Sequence, residues 1–491
     1  MRVTNLMMTN NALYNLQKQE QRLNKLDQQY TTQKKISTPS EDPIVASKAL
    51  KLNTTYSEVS QYVGKNIPDA EAWMSMTQSA IDNVSSILSN IYEKCVQGNT
   101  DALEDSDRAA IATALSEMKE QIYQEGTSSY SGRFLFTGFK TDTNLIFTDK
   151  DEDVKYDITE NFNADNISVK STVINQIGAD ESTAGKVPAR VELNRVQLAY
   201  DNVDDDANVA IVYTNKGDDT EQNLAVTKKY ATYNEFIADY EQNGIDENDV
   251  VYIADQGELV LGDTAKDTLF NAESFQISYS KTGFDQNDLR PEHYFECTKT
   301  VLSTGKTTEY KNTDQQIRYL VNYNQQMTVN VQAKDSFTHD MGRNIDELVE
   351  IVNAVTAAKE NKKAYEEKMN ASIEGSDAYN EYKKLYEAAT VEYELKNKIM
   401  QEAFAENETR FQQYGIKFSN QGTDVGTRQQ RLDLIKSRLT EQKADVEELQ
   451  SSNIDVDLTE IIIRYTSAYD VYQAALSATS KSITQTLLDY L

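Results

Sequence analysis

The chain is poor in the residues from which compact catalytic and metal sites are commonly built. Its 491 residues include only two cysteines and two histidines. Cysteines so few and so far apart exclude a disulfide framework as the support of the fold, and a Cys/His zinc cluster would need nearly all four residues. Phosphate-binding glycine loops and nucleophile elbows are also absent. We therefore expect no enzyme activity and no cofactor.

The sequence also lacks long apolar runs and an excess of positive charge. No stretch of about 18 apolar residues occurs, and the first residues are followed by polar ones, so we expect neither a membrane span nor a Sec-type signal. Lys and Arg total 49 against 79 Asp and Glu, a formal net charge of −30. Such a negative surface repels phosphate backbones and anionic lipid heads. Nucleic acid and membranes are therefore not expected partners.

Length and composition predict a folded protein with more than one domain. A chain of 491 residues exceeds what a single hydrophobic core usually organises. Hydrophobic residues make up 39% of the chain, with 29 Tyr and 14 Phe, which is enough to build packed cores. This composition argues against wholesale disorder.

Helical periodicity marks the N-terminal part of the chain. Apolar residues at positions 6–30 recur at spacings of three, four and seven, which predicts a helix with a narrow seam for another helix. A helix-start signal follows at Asp42-Pro43, after which the period resumes in a long helix with Pro68 as a candidate kink. A further helix is predicted at about 106–125.

The C-terminal part mirrors this pattern. Residues 427–491 contain neither glycine nor proline, so no breaker interrupts helix propagation. Apolar residues in the last segment alternate in steps of three and four almost throughout, a heptad-like beat. Helices are also predicted at about 341–358 and 363–413, with a break at Gly375-Ser376. Ser451-Ser452-Asn453 is predicted to separate the last two helices.

The segment between the two arms, about 141–335, has a different texture. Short β-branched and aromatic runs separated by Gly, Asn and Asp predict an antiparallel β domain. The segment holds 36 Asp and Glu against 17 Lys and Arg, so it carries −19 of the net charge of −30. The clearest runs are 154–158, 210–213, 250–253, 275–279 and 329–331.

These patterns predict an α+β fold. Its helical part is a discontinuous long-helix bundle from both termini, coiled-coil-like, and its β-rich part is an inserted antiparallel domain. We expect terminal helices in residues 1–40 plus 455–491 and a long-helix bundle in 41–140 plus 340–454. Residues 141–339 are expected to form an acidic β-rich outer domain of one or two sub-domains.

The two terminal helices are predicted to pair with each other and then with neighbouring copies. A seam of roughly thirty residues with polar flanks buries little alone, so each helix needs a partner on its stripe. An intramolecular bundle in a soluble monomer is the alternative, which periodicity leaves open. The seam residues predicted to serve assembly or chaperone binding are Leu6, Leu13, Leu16, Leu23, Leu458, Tyr465, Tyr472, Leu476, Ile483, Leu487 and Tyr490.

One acidic run is a weak candidate for a metal site. Its carboxylates have the ligand spacing of an EF-hand calcium loop. However, Val154 stands where such a loop needs glycine, and the following residues alternate like a strand. The sequence therefore favours a solvated turn before a strand over calcium binding. The residues concerned are Asp149, Asp151, Asp153 and Glu160.

Four segments taken together resemble the flagellins and hook-associated proteins of the bacterial flagellum. They are Gln33-Lys34-Lys35-Ile36-Ser37-Thr38-Pro39-Ser40-Glu41-Asp42-Pro43, Gly132-Arg133-Phe134-Leu135-Phe136-Thr137-Gly138, Thr427-Arg428-Gln429-Gln430-Arg431-Leu432-Asp433 and Thr486-Leu487-Leu488-Asp489-Tyr490-Leu491. In that order they resemble the connector after the terminal helix, the entry into the β region, the start of the penultimate helix, and the ending of the members that join hook to filament. Gln33 stands where the family usually has Gly, and Glu41 where Asp is common. The resemblance covers about 1–140 and 340–491.

The resemblance implies a secreted axial component of the flagellum. Such proteins leave through the flagellar type III export channel without a cleaved signal peptide, and they lie outside the cell. The family pairs its terminal helices in an inner tube and turns its β domain outward. The implied partners are neighbouring copies of the chain, hook-associated protein 1, flagellin and a cytoplasmic flagellar export chaperone. The implied function is a structural hook-filament junction. A flagellin is the second hypothesis, and a ligand-binding or enzymatic insert on a flagellin-like scaffold is the third.

Overall fold

The computed structural model describes residues 5–100, 105–178, 185–205, 208–217 and 220–483. Long helices occupy both ends of this range, and strands occupy most of its middle. Within it the α-helices are α1 (Asn5–Thr32), α2 (Pro43–Gln61), α3 (Ile67–Gly98), α4 (Asp105–Glu125), α5 (Tyr233–Asn243), α6 (Asp263–Asn271), α7 (Ala333–Ser336), α8 (His339–Ala371), α9 (Asp377–Ile454) and α10 (Leu458–Ile483). None of the helices in this range is both long and apolar enough to cross a membrane.

The strands form two larger sheets and two small hairpins. They are β1 (Ser129–Tyr130), β2 (Arg133–Phe134), β3 (Asp151–Phe162), β4 (Ile167–Ile174), β5 (Ala189–Gln197), β6 (Ala210–Asn215), β7 (Glu221–Leu224), β8 (Lys228–Tyr230), β9 (Val250–Ile253), β10 (Glu258–Leu261), β11 (Ala272–Phe284), β12 (Glu296–Val301), β13 (Lys306–Tyr310), β14 (Arg318–Asn322) and β15 (Gln325–Thr328). The six-stranded sheet has the order β13-β12-β3-β11-β6-β7, and the five-stranded sheet the order β4-β5-β10-β9-β8. The predicted α+β architecture, with helical termini and an inserted sheet region, is confirmed.

The chain divides into two compact units. The terminal unit comprises residues 1–70, 319–327 and 430–491, and the central unit comprises 71–318 and 328–429. The sequence predicted three parts with other boundaries. That three-part division stays a prediction.

The core of the central unit is shared by the two larger sheets. Strand β3 alternates between buried and accessible residues, and its even-numbered side chains from Val154 to Phe162 point inward. They pack against buried residues of β5, β9, β10 and β11. The other face of the five-stranded sheet packs on α5 through Phe236 and Ile237. Burial of this shared core joins the two sheets into one packed body.

Several helix boundaries follow the sequence signals. Helix α2 begins at Pro43, and the side chain of its N-cap Asp42 accepts hydrogen bonds from the N–H groups of Ile44 and Val45. The predicted break at Gly375-Ser376 is confirmed, because α8 ends at Ala371 and α9 begins at Asp377. The capping signals and the glycine therefore act here as expected.

The interruption expected near Pro68 takes the form of a π-helical turn. This turn spans Tyr62–Asn66, and the N–H of Ile67 bonds to the carbonyl of Tyr62, five residues earlier. Proline has no N–H to donate to the carbonyl four residues before it, so the regular ladder cannot continue unchanged through Pro68. The hairpin β14–β15 contacts the same region, where Asn66 Nδ2 donates to the carbonyl of Leu320 at 2.8 Å.

Two predicted features are wrong. Ser451-Ser452-Asn453 does not separate the last helices, since α9 continues through Ile454 and Asp457 caps α10 by accepting from the N–H groups of Thr459 and Glu460. Without glycine or proline nothing stops the helix at the serines. The run 329–331 is not a strand. The side-chain amide of Asn330 accepts from the N–H of Ile317 and donates to the carbonyl of Gln315, so these backbone groups bond to a side chain and not to the backbone of a paired strand.

Candidate functional site

The two terminal helices pack against each other in the terminal unit. Leu26 of α1 and Ile461 and Ala468 of α10 are buried together. Leu23, Val456 and Tyr465 are partly buried against this cluster. The rings of Tyr30 and Tyr465 stack with centroids 6.0 Å apart. The helix pair is therefore held by a small apolar cluster and an aromatic stack, as expected for a coiled-coil-like seam.

The face of α10 that is least accessible follows a strict heptad rhythm. The residues on it are spaced by four and three in turn, which keeps them on one side of a helix. Three residues of this face, Ile461, Ala468 and Thr479, are buried. The other three, Tyr465, Tyr472 and Ala475, are half-buried.

The predicted seam residues differ in how far the helix pairing buries them. Leu23 and Tyr465 contact the buried cluster, and Leu16 and Tyr472 are half-buried. The exposed members are Leu13, Leu458 and Leu476. Leu6 and Ile483 lie in α1 and α10, while Leu487 and Tyr490 lie outside the described residues. Ala468 and Ala475 were missed because neither is large. Alternating steps of three and four from Tyr465, with small residues counted, would have found both.

A second apolar surface on the helix pair remains accessible. Large hydrophobic side chains that are exposed usually occur singly on soluble monomers, and a contiguous group marks an interaction site. Exposed large apolar side chains occur on both helices, at Met7, Met8, Leu13 and Tyr14 on α1 and at Leu458, Ile462, Ile463, Tyr469, Val471 and Leu476 on α10. Four of those on α10 are spaced by four, seven and seven positions, which places them on one side of the helix. These four, Leu458, Ile462, Tyr469 and Leu476, are called the exposed stripe.

The connector after α1 is tied to the segment before α10. Val456 donates its N–H to the carbonyl of Gln33, and Lys35 donates its N–H to the carbonyl of Ile454 at 2.6 Å. The ammonium of Lys34 pairs with the carboxylate of Asp455, and a hydrogen bond from that ammonium lowers the pKa of Asp455. These contacts form a short antiparallel bridge across 421 positions of sequence.

Gln33 has a backbone conformation that favours glycine. Its φ is 56°, in the left-handed region, where a residue with a Cβ atom costs about 1 kcal/mol or more. The position at which this chain departs from the usual Gly of the flagellin-type connector is therefore a strained position.

We expect Gln33→Gly to raise the stability of the terminal unit by about 1 kcal/mol, because glycine removes the left-handed strain. Thermal unfolding followed by far-ultraviolet circular dichroism measures the effect. Gln28→Gly is the matched control, since Gln28 lies inside α1 and glycine there should destabilise the helix by a similar amount. Equal destabilisation by both variants would contradict the strain at Gln33.

The four carboxylates of the candidate calcium run lie along an extended segment. Strand β3 begins at Asp151, and Asp153 accepts hydrogen bonds from the N–H and hydroxyl of Ser303. Glu160 follows Asp153 by seven residues, about 23 Å along a strand, and it points into the core. Among the described residues, no group of three or more His, Cys, Asp or Glu side chains could hold a metal ion. The strand thus keeps these carboxylates apart.

Both arms of the chain match family models. Residues 3–141 match the model described as the bacterial flagellin N-terminal helical region. Residues 413–491 match the bacterial flagellin C-terminal helical region. The two matches include α1 and α10, whose pairing forms the seam, and they leave the residues between 141 and 413 outside.

Individual relatives are hook-associated proteins. The chain is 33% identical over 120 residues to flagellar hook-associated protein 3 of Escherichia coli strain K12, covering 24% of this chain and 38% of that protein. It is 31% identical over 143 residues to the protein of the same name from Salmonella typhimurium strain LT2, covering 29% and 45%. The chain thus spans less than half the length of these relatives. The crystal structure of Xanthomonas campestris FlgL aligns with a TM-score of 0.32 at 12% identity, covering 82% of this chain and 99% of that one.

Proposed function

Because the chain carries both terminal helical regions of the bacterial flagellins, we propose that it is a non-enzymatic structural subunit of the flagellum that joins the hook to the filament. The two relatives named flagellar hook-associated protein 3 support this choice among flagellin-type proteins. This role requires a subunit that binds neighbouring copies of itself within a ring. The ring must also bind one protein on its hook side and a different protein on its filament side.

The observation that carries the proposal is the exposed stripe on α10. The helix pair buries its inner heptad face but leaves the large apolar side chains of this stripe accessible. Their transfer from water into a contact between subunits is favourable by about 25 cal/mol for each Å² of apolar surface. A helix pair with a second apolar face on α10 is suited to a ring or tube of identical subunits.

The partners of the assembled protein are neighbouring copies in a ring, hook-associated protein 1 and flagellin. The seam of terminal helices, with Leu487 and Tyr490, also offers a helix-in-groove surface to a cytoplasmic export chaperone. The protein reaches the cell exterior through the flagellar export channel. The two cysteines are free and buried, so no disulfide holds the described fold against passage in an unfolded state.

We further propose a three-part division of labour along the chain. The terminal helices of 1–40 and 455–491 form an inner tube, and the long helices of 41–140 and 340–454 surround it. The acidic segment 141–339 faces outward, where its negative charge favours contact with water.

We expect Leu476→Asp to reduce incorporation into flagella at least tenfold. Leu476 lies in the exposed stripe, so the carboxylate is hydrated in the free subunit but would be buried unpaired in a subunit contact. The helical content of the purified variant should equal that of the wild type. Quantitative blotting of isolated hook-filament fractions measures incorporation.

Ala474→Asp is the matched control for this substitution. Ala474 is exposed on the same helix but two positions before Leu476, which turns it away from the exposed stripe, and the variant introduces the same charge. It should be incorporated normally. Equal loss in both variants would mean that charge on α10 is harmful at any position, and normal incorporation of Leu476→Asp would remove the basis for a contact through the exposed stripe.

Deletion of the gene in its own host tests the proposal directly. Electron microscopy should show hooks without filaments, and flagellin should accumulate in the culture medium. The chain supplied from a plasmid should restore the filaments. Intact filaments on the deletion strain would overturn the junction role, and a minor flagellin would then be the better assignment.

A further inference from the structure

The six-stranded sheet of the central unit has a polar depression on the face opposite its core. The even-numbered side chains of β3 point into the core, so the odd-numbered ones, among them Asp157 and Thr159, point outward. On this outward face, residues of β3, β11, β12 and β13 line an open cavity of about 580 Å³, which we call the outer cavity. Cavities that bind small molecules usually measure about 300–1,000 Å³, so the outer cavity is large enough for a ligand.

Strand register arranges the floor of the outer cavity in two parallel rows of polar side chains. The first row crosses four strands and consists of Glu309, Thr298, Asp157 and Ser280. The second row crosses three strands and consists of Glu296, Thr159 and Ser278. Neighbouring strands lie about 4.8 Å apart, and residues two positions apart on one strand lie about 7 Å apart. The rows therefore cover roughly 14 by 7 Å, an area on which one or two sugar rings could lie.

Differences in side-chain length explain why the sheet is concave here. The middle of the area carries short side chains that are half-buried, namely Thr159, Ser278, Ser280 and Thr298. Longer side chains surround them, namely Lys155, Glu296, Glu309, Tyr310 and Lys311. A ligand can therefore reach the short polar groups of the floor while the longer side chains contact its edges.

The floor offers hydroxyl and carboxylate groups for hydrogen bonding. The hydroxyl of Ser280 donates to Asp157 Oδ1 at 2.6 Å, and the hydroxyl oxygens of Thr159 and Ser278 lie 3.0 Å apart. An ionised carboxylate can accept about four hydrogen bonds, and the carboxylate of Asp157 accepts only this one from the side chains that the structure describes. Hydroxyl groups can both donate and accept. The floor is therefore suited to a ligand with several hydroxyl groups.

The charges around the outer cavity nearly cancel. Its lining contains two ammonium groups and three carboxylates, from Lys155, Lys311, Asp157, Glu296 and Glu309. The ammonium of Lys155 also lies 3.5 Å from the carboxylate of Asp204, so a weak negative charge remains. This charge disfavours anions such as phosphates, and the ammonium groups among the carboxylates disfavour cations. An uncharged polar ligand meets neither obstacle.

We propose that the outer cavity binds an uncharged carbohydrate of one or two sugar rings. Asp157 and Glu309 accept hydrogen bonds from sugar hydroxyls, which a negatively charged acceptor strengthens. Thr298 lies between these two carboxylates in the same row and bonds to a third hydroxyl. The half-buried ring of Tyr310, which also lines the cavity, offers an apolar surface to the C–H groups of the sugar. This inference does not depend on the junction role, because the site lies within the central unit.

A glycan array probed with the fluorescently labelled full-length protein tests the proposal. The array carries uncharged mono- and oligosaccharides beside sialylated and sulfated ones. We expect the protein to bind a subset of the uncharged glycans and none of the acidic ones. A bound glycan is then titrated in solution by isothermal titration calorimetry, which gives a dissociation constant for the wild type and for each variant.

Asp157→Ala should weaken binding of the selected glycan about tenfold or more, because it removes hydrogen bonds to a charged acceptor. Thr298→Lys should abolish binding, because a long side chain would occupy the floor. Glu221→Ala is the matched control, since Glu221 is an exposed carboxylate of β7 in the same sheet but outside the outer cavity. It should bind as the wild type does. Far-ultraviolet circular dichroism verifies that all three variants are folded.

Three results would overturn the proposal. The first is an array on which no uncharged glycan is bound, and the second is a preference for sialylated or sulfated glycans. The third is equal affinity of the wild type, Asp157→Ala and Thr298→Lys, which would place the ligand elsewhere. Because binding is measured on the purified protein, its failure is distinguishable from a failure of the junction role, which the deletion strain tests.

Discussion

Arg195→Leu is expected to lower the free energy of unfolding of the central unit by about 3 kcal/mol or more. Arg195 lies in β5 and pairs with Glu258 of β10 at 2.9 Å and with Glu347 of α8 at 2.6 Å. Glu258 is almost completely buried. Burial alone would raise the pKa of Glu258, but Lys170 and Arg195 hold it below its usual value. The substitution leaves Glu258 with Lys170 alone and Glu347 without its partner Arg195, and the loss of one partner from a buried ion group typically costs about 3–5 kcal/mol.

Urea unfolding followed by the fluorescence of Trp73 measures this effect. Trp73 is the single tryptophan of the chain and is buried in the same unit. Arg190→Leu is the matched control, because Arg190 lies on the same strand but pairs with the accessible carboxylates of Glu192 and Glu402. Such pairs contribute about 1 kcal/mol or less.

Glu347→Gln in the Arg195→Leu background should restore part of the lost stability, since the amide removes the carboxylate that has lost its partner Arg195. A loss below about 1 kcal/mol in Arg195→Leu, or no rescue by Glu347→Gln, would mean that these ion pairs contribute little to the stability of the contact between β5 and α8.

Glu160→Gln is expected to stabilise the central unit at pH 8 and to leave its stability almost unchanged at pH 4. Glu160 is buried in β3, and its Oε1 accepts hydrogen bonds from the N–H of Ala199 at 3.0 Å and from the hydroxyl of Tyr279. Burial raises the pKa of Glu160 from 4.5 to about 7, although both hydrogen bonds lower it. The folded state therefore favours the protonated carboxyl.

The pH dependence follows from this raised pKa. Below about 4.5 the carboxyl is protonated in both the folded and the unfolded chain, so it causes no penalty. Between about 4.5 and 7 the unfolded chain loses the proton while the folded chain keeps it, so the folded state is destabilised progressively as the pH rises. Above 7 both forms are ionised, and the penalty stays constant. The difference between the folded and unfolded pKa of Glu160 lowers the free energy of unfolding by about 3 kcal/mol at pH 8. Glutamine resembles the protonated carboxyl and does not ionise, so the variant avoids this loss of stability.

Urea unfolding of both proteins at pH 4 and pH 8 tests the prediction. The comparison between variant and wild type cancels the titration of other groups. Glu152→Gln is the control on the same strand, because the side chain of Glu152 is 78% exposed and should affect stability little at either pH. A wild type that matches Glu160→Gln at pH 8 would contradict the raised pKa.

Local signals in the sequence predicted the helical arms well. The cap at Asp42, the glycine break before α9 and the heptad rhythm of α10 each depend on residues a few positions apart. The face that pairs the two helices was less predictable, because the predicted seam residues Leu458 and Leu476 are exposed while the small side chain of Ala468 is buried in the cluster with Leu26. The assembly role of the predicted seam residues stays a prediction.

The inserted region was predicted less completely. Helices α5 and α6 were missed although Thr232 caps α5 and Gly244 ends it, because each helix is short and lies among strand-like runs. The parallel pairing of β8 with β9 was also missed. Strand order, and the contacts of Arg195 and Glu160, join residues far apart in sequence, so no local pattern contains them.

The bridge between the two connectors also constrains the order of events during folding. Lys34 and Asp455 are 421 positions apart, and closure of a flexible loop of that length costs about 5 kcal/mol in chain entropy. Folding of the central unit first shortens the effective loop and removes much of this cost. The helix pair should therefore close last, and only a chain whose two ends are both present can close it. A subunit that lacks either terminal helix would fold its central unit but could not form the α1–α10 pair. Formation of this pair therefore distinguishes chains that carry both terminal helices from truncated ones.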